Sequence, residues 1–473
     1  MLNLIKNEYI KIFKKKSTII WLAILLVISL GLLFLSSMEL DMTEYYSDND
    51  YMSESYVNDQ LNSYTTIEDK TYPDYFVLMK VKELGMYNLE NWIYDELYSA
   101  ADLLSVGTNE ANRKLFDEAA VSLKSGNPTD YVKVMANQYK PNTYTFPGSD
   151  KAVTNPYQYC LDQSINPKDD PKLFSCANNL LSLQDQLERI YTSTGENSTN
   201  YKNKYNSYLV LNKLLDEKQT DAIIDNAITN NMDSSSDMSI VGSMGMSSSM
   251  NLSSTSSKFW NVLQLSASFV TMIQILMLII AGSCVATEFS SGTIKFLLIN
   301  PINRRKIIIS KYLMVVSFSF FCVVGYYIIC VLFSLILGGA DHLGASYITA
   351  SNGSVTMYSG FLYVAKLYLY AFIDIICYGT LAFALSSLFR NSAIAIGISI
   401  ALSISGSIIT GILSMINQDW GRYLFFANTD LATIQAGNSL FPNQTMTFAI
   451  IVIIVHMIVL LWTAYDGFTR REV

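Results

Sequence analysis

The sequence predicts an all-α polytopic membrane protein: six transmembrane helices, with a large, mostly helical extracytoplasmic domain between helices 1 and 2. Three observations predict it. The first is a set of six apolar runs, at 18–35, 259–286, 312–337, 361–389, 393–416 and 446–465, each long enough to cross a hydrocarbon core of about 30 Å as a helix. The second is a gap. Residues 39–257, nearly half of the 473, hold no such run, which is why the chain is only 51% hydrophobic. The third is charge: 39–257 carries 32 Asp and Glu against 16 Lys and Arg, a net of −16, so the remainder carries +8 within the chain total of −8.

Residues 1–16 come first. Leu2, Ile5, Tyr9, Ile12 and Phe13 recur at helical spacing opposite Lys6, Lys11 and Lys14, the pattern of a basic amphipathic helix lying on the inner leaflet. The first span follows at 17–38. A cleaved signal peptide is the alternative, but the apolar run is long for one and Leu35-Ser36-Ser37-Met38 lacks a small-x-small cleavage pattern. The basic residues gather at Lys6, Lys11, Lys14, Lys15 and Lys16, at Lys295, Arg304, Arg305, Lys306 and Lys311, at Arg390, and at Arg470 and Arg471. With six spans all these clusters fall on one face, and the positive-inside rule makes it cytoplasmic. Both termini are then expected inside the cell membrane and the acidic domain of 39–257 outside.

Within that domain, helix-period segments run over 75–104, 110–124, 129–139, 176–191 and 201–218, separated by Pro, Gly, Asn and Ser clusters. Tyr45, Tyr46, Tyr51, Tyr56 and Tyr64 with the negative charge suit a surface that collects cationic amphipathic ligands, or an ordinary acidic domain with half-buried tyrosines. Of six cysteines, Cys284, Cys322, Cys330 and Cys377 fall within spans, where a thiol acts as a small apolar group. Cys160 and Cys176, 16 positions apart and flanked by Pro156, Pro167 and Pro171, are expected to form a disulfide in an oxidising compartment, contributing about 3 kcal/mol; two unpaired thiols are the alternative. The Ser-rich tract 233–257, with Met238, Met244, Met246 and Met250, reads as a flexible linker, with Cu(I) binding by thioethers the less favoured reading.

Residues 258–473 hold spans 2–6 and their polar exceptions. Asn261, Gln264, Ser268, Thr271 and Gln274 recur every three or four residues in span 2, and Ser399, Ser403, Ser407 and Gly411 every four in span 5, as a translocation path requires or as close helix packing produces. Lys366 is near enough to a span end to snorkel. Asp374 and His456 lie mid-span, where a charge needs a partner or a watery path; they are expected to pair, or Asp374 to meet a cationic substrate. With two histidines, His342 and His456, neither a histidine metal cluster nor a Ser-His-Asp assembly can be composed, and no G-x-x-x-x-G-K-[ST] phosphate loop is present. The chain is therefore not expected to be an enzyme by itself, and if ATP powers it, another chain binds the nucleotide.

The most informative stretch is the polar, basic segment 287–311 between spans 2 and 3. Thr287-Glu288-Phe289, then Gly292-Thr293, then Phe296, Leu297 and Leu298, then Pro301 with Arg304 and Arg305, then Lys311 at the next span, resembles the cytoplasmic loop of the ABC type-2 exporter permeases. The N-terminal L-I-K-N-E-Y-I-K, Asn428-Thr429-Asp430-Leu431 and the C-terminal F-T-R-R extend the likeness over the six-span framework, about half the chain. The resemblance implies a short coupling helix around Gly292-Thr293 and a transport path lined by spans 2 and 5. It also implies two separate ATPase subunits holding ATP and Mg, a second permease, identical or paralogous, and surrounding lipid; no nucleic-acid partner is expected. Glu288, Gly292, Thr293, Phe296, Leu297, Leu298, Pro301 and Arg304 are the expected coupling residues. Gly292 lets the chain turn, Thr293 can cap a helix, and Ile294, Phe296, Leu297 and Leu298 offer apolar knobs to a groove. An amphipathic or antimicrobial peptide or a hydrophobic drug is the expected cargo; sodium extrusion and a non-transporting peptide receptor are the alternatives.

Overall fold

A computed structural model describes residues 2–47, 53–65, 72–87, 89–106, 110–138, 155–196, 199–218, 223–224, 258–292, 303–340, 343–351, 353–389, 391–416, 418–435, 439–441 and 444–469. Six helices in it are long and apolar enough to cross a membrane, and the chain is a predominantly α-helical multi-pass membrane protein. Helix α1 (Leu2–Lys14) leads into α2 (Lys16–Ser47), the first span. Span 2 is α11 (Lys258–Ser268) with α12 (Thr271–Cys284), and a short α13 (Ala286–Ser290) ends it. Spans 3 to 6 are α14 (Arg304–Gly338), α15 (Gly360–Phe389), α16 (Ser392–Met415) and α18 (Met446–Thr469), with the short α17 (Leu431–Gln435) before the last.

Span 2 departs from the uninterrupted helix expected over 259–286. At Phe269 and Val270 the amides reach back three residues, to Ser266 O (3.2 Å) and Ala267 O (3.3 Å), in place of four. The cause sits one turn earlier. Ser266 Oγ hydrogen-bonds Leu263 O (2.6 Å) and the Tyr368 hydroxyl (2.7 Å), and a serine that bonds its own helix backbone while held by a neighbouring helix bends the ladder.

Between spans 1 and 2 lies a set of helices with a core of its own: α3 (Glu54–Ser63), α4 (Pro73–Leu84), α5 (Asn91–Val106), α6 (Glu110–Lys124), α7 (Pro128–Gln138), α8 (Pro156–Asp162), α9 (Pro171–Thr194) and α10 (Thr199–Asp216). Four of them open with proline, whose fixed φ suits a first turn with no amide to satisfy. The predicted segment 75–104 is two helices divided at Gly85, and α3 and α8 were not expected from periodicity. Val77, Val81, Leu97, Ala101, Leu123, Phe174 and Leu180 fill the core at 1% exposure or less.

The expected disulfide is corrected. Cys160 on α8 and Cys176 on α9 are free thiols, and burial in the packed core pushes them up to about 12 and about 11 respectively. The turn between these helices is fastened without a covalent bridge, by Ile165 N donating to Cys160 O at 2.8 Å and by the burial of Ile165 and Leu173.

A three-stranded sheet was also not expected. Strand β1 (Ile223–Ile224) pairs in parallel with β2 (Ser346–Ser351), which pairs antiparallel with β3 (Ser354–Ser359). The β2–β3 hairpin leaves span 3 and runs directly into span 4. Its Ile348 and Ala350 enter the core of α3–α10, while Tyr347 stacks on Tyr363 of span 4 at 3.5 Å and belongs to the core of the spans.

Candidate functional site: a buried ion quartet at the base of the 287–311 loop

Three elements meet where span 2 ends and span 3 begins. Helix α1 packs across the start of α14, with Tyr9 donating to Ser317 Oγ (2.8 Å) and Tyr9 and Phe13 set edge-on to Phe318 at 6.1 and 6.0 Å. The amphipathic α1 thus covers a neighbouring helix. Its polar edge then places Glu8 and Lys11 over the loop base.

There they complete a quartet. Lys311 of α14 is fully buried and donates to Glu8 Oε2 (3.0 Å), Glu288 Oε1 (2.7 Å) and Cys284 O (3.4 Å). Lys11, half exposed, donates to Glu8 Oε1 and Glu288 Oε1, both at 2.8 Å. Two cations and two carboxylates sum to zero charge, and each lysine bridges both acids. Such a closed arrangement is what allows an ammonium group to be taken wholly out of water. Burial alone would raise the Glu8 carboxyl, yet Lys311 and Lys11 together hold it below the usual carboxylate value.

Adjacent contacts fix the same region. Ser386, buried in span 4, accepts from the amides of Val285 (3.1 Å) and Ala286 (2.9 Å), capping the turn between α12 and α13. Phe289 on α13 lies edge-on to Phe468 at the end of span 6 (6.2 Å), and the Arg305 guanidinium sits 5.9 Å from the Tyr465 ring. The loop base therefore touches α1 and spans 2, 3, 4 and 6.

Of the expected coupling residues, Glu288 is in the quartet, Gly292 follows α13 at φ +69°, and Arg304 opens α14. Thr293, Phe296, Leu297, Leu298 and Pro301 lie outside the described residues, as do Ile294, Lys295, the linker 233–257 and His342. Glu8 was missed, although the sequence carried a signal. It is the lone acid in residues 1–38, among five lysines, as Glu288 is in 251–311. Lys311, counted with the basic clusters of the expected cytoplasmic face, is the most buried member.

The polar stripes are not continuous. In span 2 Asn261 and Gln274 are buried, Gln264 half-buried, and Ser268 and Thr271, on either side of the break at 269–270, exposed. In span 5 Ser399 and Gly411 are buried, Ser403 half-buried and Ser407 exposed. Ser399 and Ser407 donate to Ala395 O (2.5 Å) and Ile404 O (2.9 Å) of their own helix. Lys366 is exposed, its ammonium 5.6 Å from the Tyr370 ring.

Asp374 and His456 do not pair. His456 Nδ1 lies 2.9 Å from Val452 O of its own helix, and its ring rests against Phe425 at 5.7 Å. Asp374, partly buried, is met by the Thr429 hydroxyl, with Asp430 close by. The segment 428–431 is rigid by its own bonds: Asn428 Nδ2 donates to Arg422 O (2.7 Å) and Leu424 O (2.8 Å), and Gln444 Nε2 donates to Asn428 Oδ1 (2.9 Å). Asp430 caps α17 by accepting from Thr433 N and Oγ1 at 3.1 and 2.6 Å. Among the described residues no group of three or more His, Cys, Asp or Glu side chains is placed to hold a metal ion.

A family model described as a protein of unknown function (DUF2705) matches residues 237–473, the part of the chain that carries spans 2 to 6 and the loop. The chain belongs to the DUF2705 family. Two Bacillus subtilis (strain 168) proteins resemble it. The uncharacterized protein YhcI is 33% identical over 223 residues, 47% of this chain and 71% of the relative. The uncharacterized membrane protein YdbK is 33% identical over 220 residues, 46% of this chain and 85% of the relative. The DUF2705 match begins after α1 and the α3–α10 helices, so of the quartet it covers Glu288 and Lys311 but not Glu8 and Lys11.

Proposed function

We propose that this chain is the membrane-embedded permease subunit of an ATP-driven exporter, working with two separate ATPase subunits and a second permease. The carrying observation is the ion quartet. A loop pushed by a soluble motor can move membrane helices only if its base is fastened to them, and Glu288 and Lys311, at the two ends of the 287–311 loop, are fastened to each other and to α1. In this reading the basic face is cytoplasmic, the helices α3–α10 lie outside, and ATP and Mg bind on the ATPase subunits. An amphipathic peptide or hydrophobic drug is the proposed cargo, and sodium the second choice.

Purification of the tagged chain from its native membrane should bring down a nucleotide-binding subunit in near-equal amount, identified by mass spectrometry. Replacing Phe296 and Leu297 by Ala should then leave ATP hydrolysis running while transport falls. Reproducible absence of any ATPase, with other membrane complexes intact, would turn the reading to a non-transporting receptor. The hairpin that enters both the α3–α10 core and the span 4 contacts favours that second reading, since it gives an event in the helical domain a direct route to the membrane.

A further inference from the structure

We propose that Glu96 is a buried proton-binding site that makes the packing of the α3–α10 domain depend on pH. The inference goes beyond the exporter reading and does not depend on it.

Glu96 lies on α5 and is 7% exposed. Its surroundings come from four helices. On α5 itself Asp95 is the nearest charge; α7 brings Tyr131, whose hydroxyl also reaches Glu96 O at 3.5 Å; α8 brings Tyr157, with Cys160 behind it; and α9 brings Asn178, with Cys176 near Cys160. Of the charged groups on α4 and α6, Lys80 pairs with Glu83 and Asp117 at 2.8 and 2.6 Å, Lys114 with Glu118 at 3.8 Å, and Asp74 lies near Tyr94. Among the described residues no lysine or arginine pairs with Glu96.

Hydrogen bonds act in both directions: the Tyr131 and Asn178 side chains hydrogen-bond the carboxyl and favour its charged form, while burial and two unpartnered acceptors favour the protonated one. Glu96 Oε2 and Asn178 Oδ1 are both buried without a partner. An ionised carboxylate is acceptor-only, so with Glu96 charged both atoms would stay unsatisfied, and a buried charge without a cation is costly. A protonated carboxyl carries one O–H donor and no charge, which removes the cost of an unpaired buried anion. Burial is the largest influence on the group, and it lifts the carboxyl from 4.5 to about 7.

The sign follows from linkage. Because the folded domain binds this proton more tightly than the unfolded chain, the stabilisation is fully present below about 4.5, is lost as pH rises towards about 7, and is absent above it. Acidification tightens the domain and mild alkali loosens it.

The test is amide hydrogen exchange on the full chain in lipid nanodiscs at pH 5 and pH 8, with rates corrected for intrinsic chemistry. Amides of α5 and α9 should open roughly tenfold or more at pH 8 relative to pH 5 in the natural sequence. Glu96→Gln should remove that response while keeping protection at pH 8 at least as strong. If Glu96→Gln does not purify, Glu96→Met serves as the second variant with the same expectation. A natural-sequence response below about threefold, or a full response surviving in either variant, overturns the proposal.

Discussion

Lys311 shows how one side chain can carry more of the structure than its sequence neighbours suggest. Removing it would strand Glu8 and Glu288 at one tenth exposure with a single, half-exposed cation between them. Lys311→Met should therefore cost about 3–5 kcal/mol, seen as a lower melting temperature of the purified chain. Adding Glu8→Gln to it should recover part of that loss, as expected for coupled neighbours. Glu8 also gives a pH signature. Its carboxyl is held below the ordinary value, so its contribution is present above about 4.5 and lost as pH falls through the lowered value. Helix α1 should come away from span 3 in acid, read as quenching of a fluorophore on residue 2, and Glu8→Gln should abolish the acid step.

At the scale of elements, the β2–β3 hairpin is the joint between two cores. It turns in two residues, with Ser351 paired to Ser354 and Gly353 at φ +77°, a conformation that side chains other than glycine adopt at a cost. Gly353→Val should destabilise the hairpin by about 1–2 kcal/mol, measurable as faster exchange of β2 and β3 amides while α15 stays protected. Asn352-Gly353 is the turn signal that foretells such a hairpin, and it stood in the sequence beside a β-branched, alternating stretch. The apolar spans on either side are the stronger local signal and mask it. Helices α8 and α9 give the opposite lesson. Proline-flanked cysteines suggest a bridge, but the helices are held by packing and both thiols are free. Denatured, unreduced protein should accordingly take up six maleimides per chain, matching the six free cysteines.

For the molecule as a whole, the functional proposal turns on which side of the membrane the acidic helices face. If the acidic domain is outside, a cysteine placed at exposed Ser125 should react with a membrane-impermeant maleimide in intact cells, and one placed at exposed Lys14 should react only after lysis. The reverse result would put the 287–311 loop beyond reach of any cytoplasmic ATPase.

The sequence by itself determined the six spans, since about 20 apolar residues in a row have one stable disposition in a bilayer and length alone reveals it. Helical periods were legible in 39–257 too, at 110–124, 129–139, 176–191 and 201–218, because each amphipathic helix writes its buried face locally. Tertiary structure decided what touches what. Glu8 and Lys311 are 303 positions apart, and no local period links them. The break in span 2 depends on a hydroxyl from span 4, and Asp374 meets Thr429 where His456 was expected. These contacts follow from where helices cross, which the packing of whole faces sets and local patterning does not record.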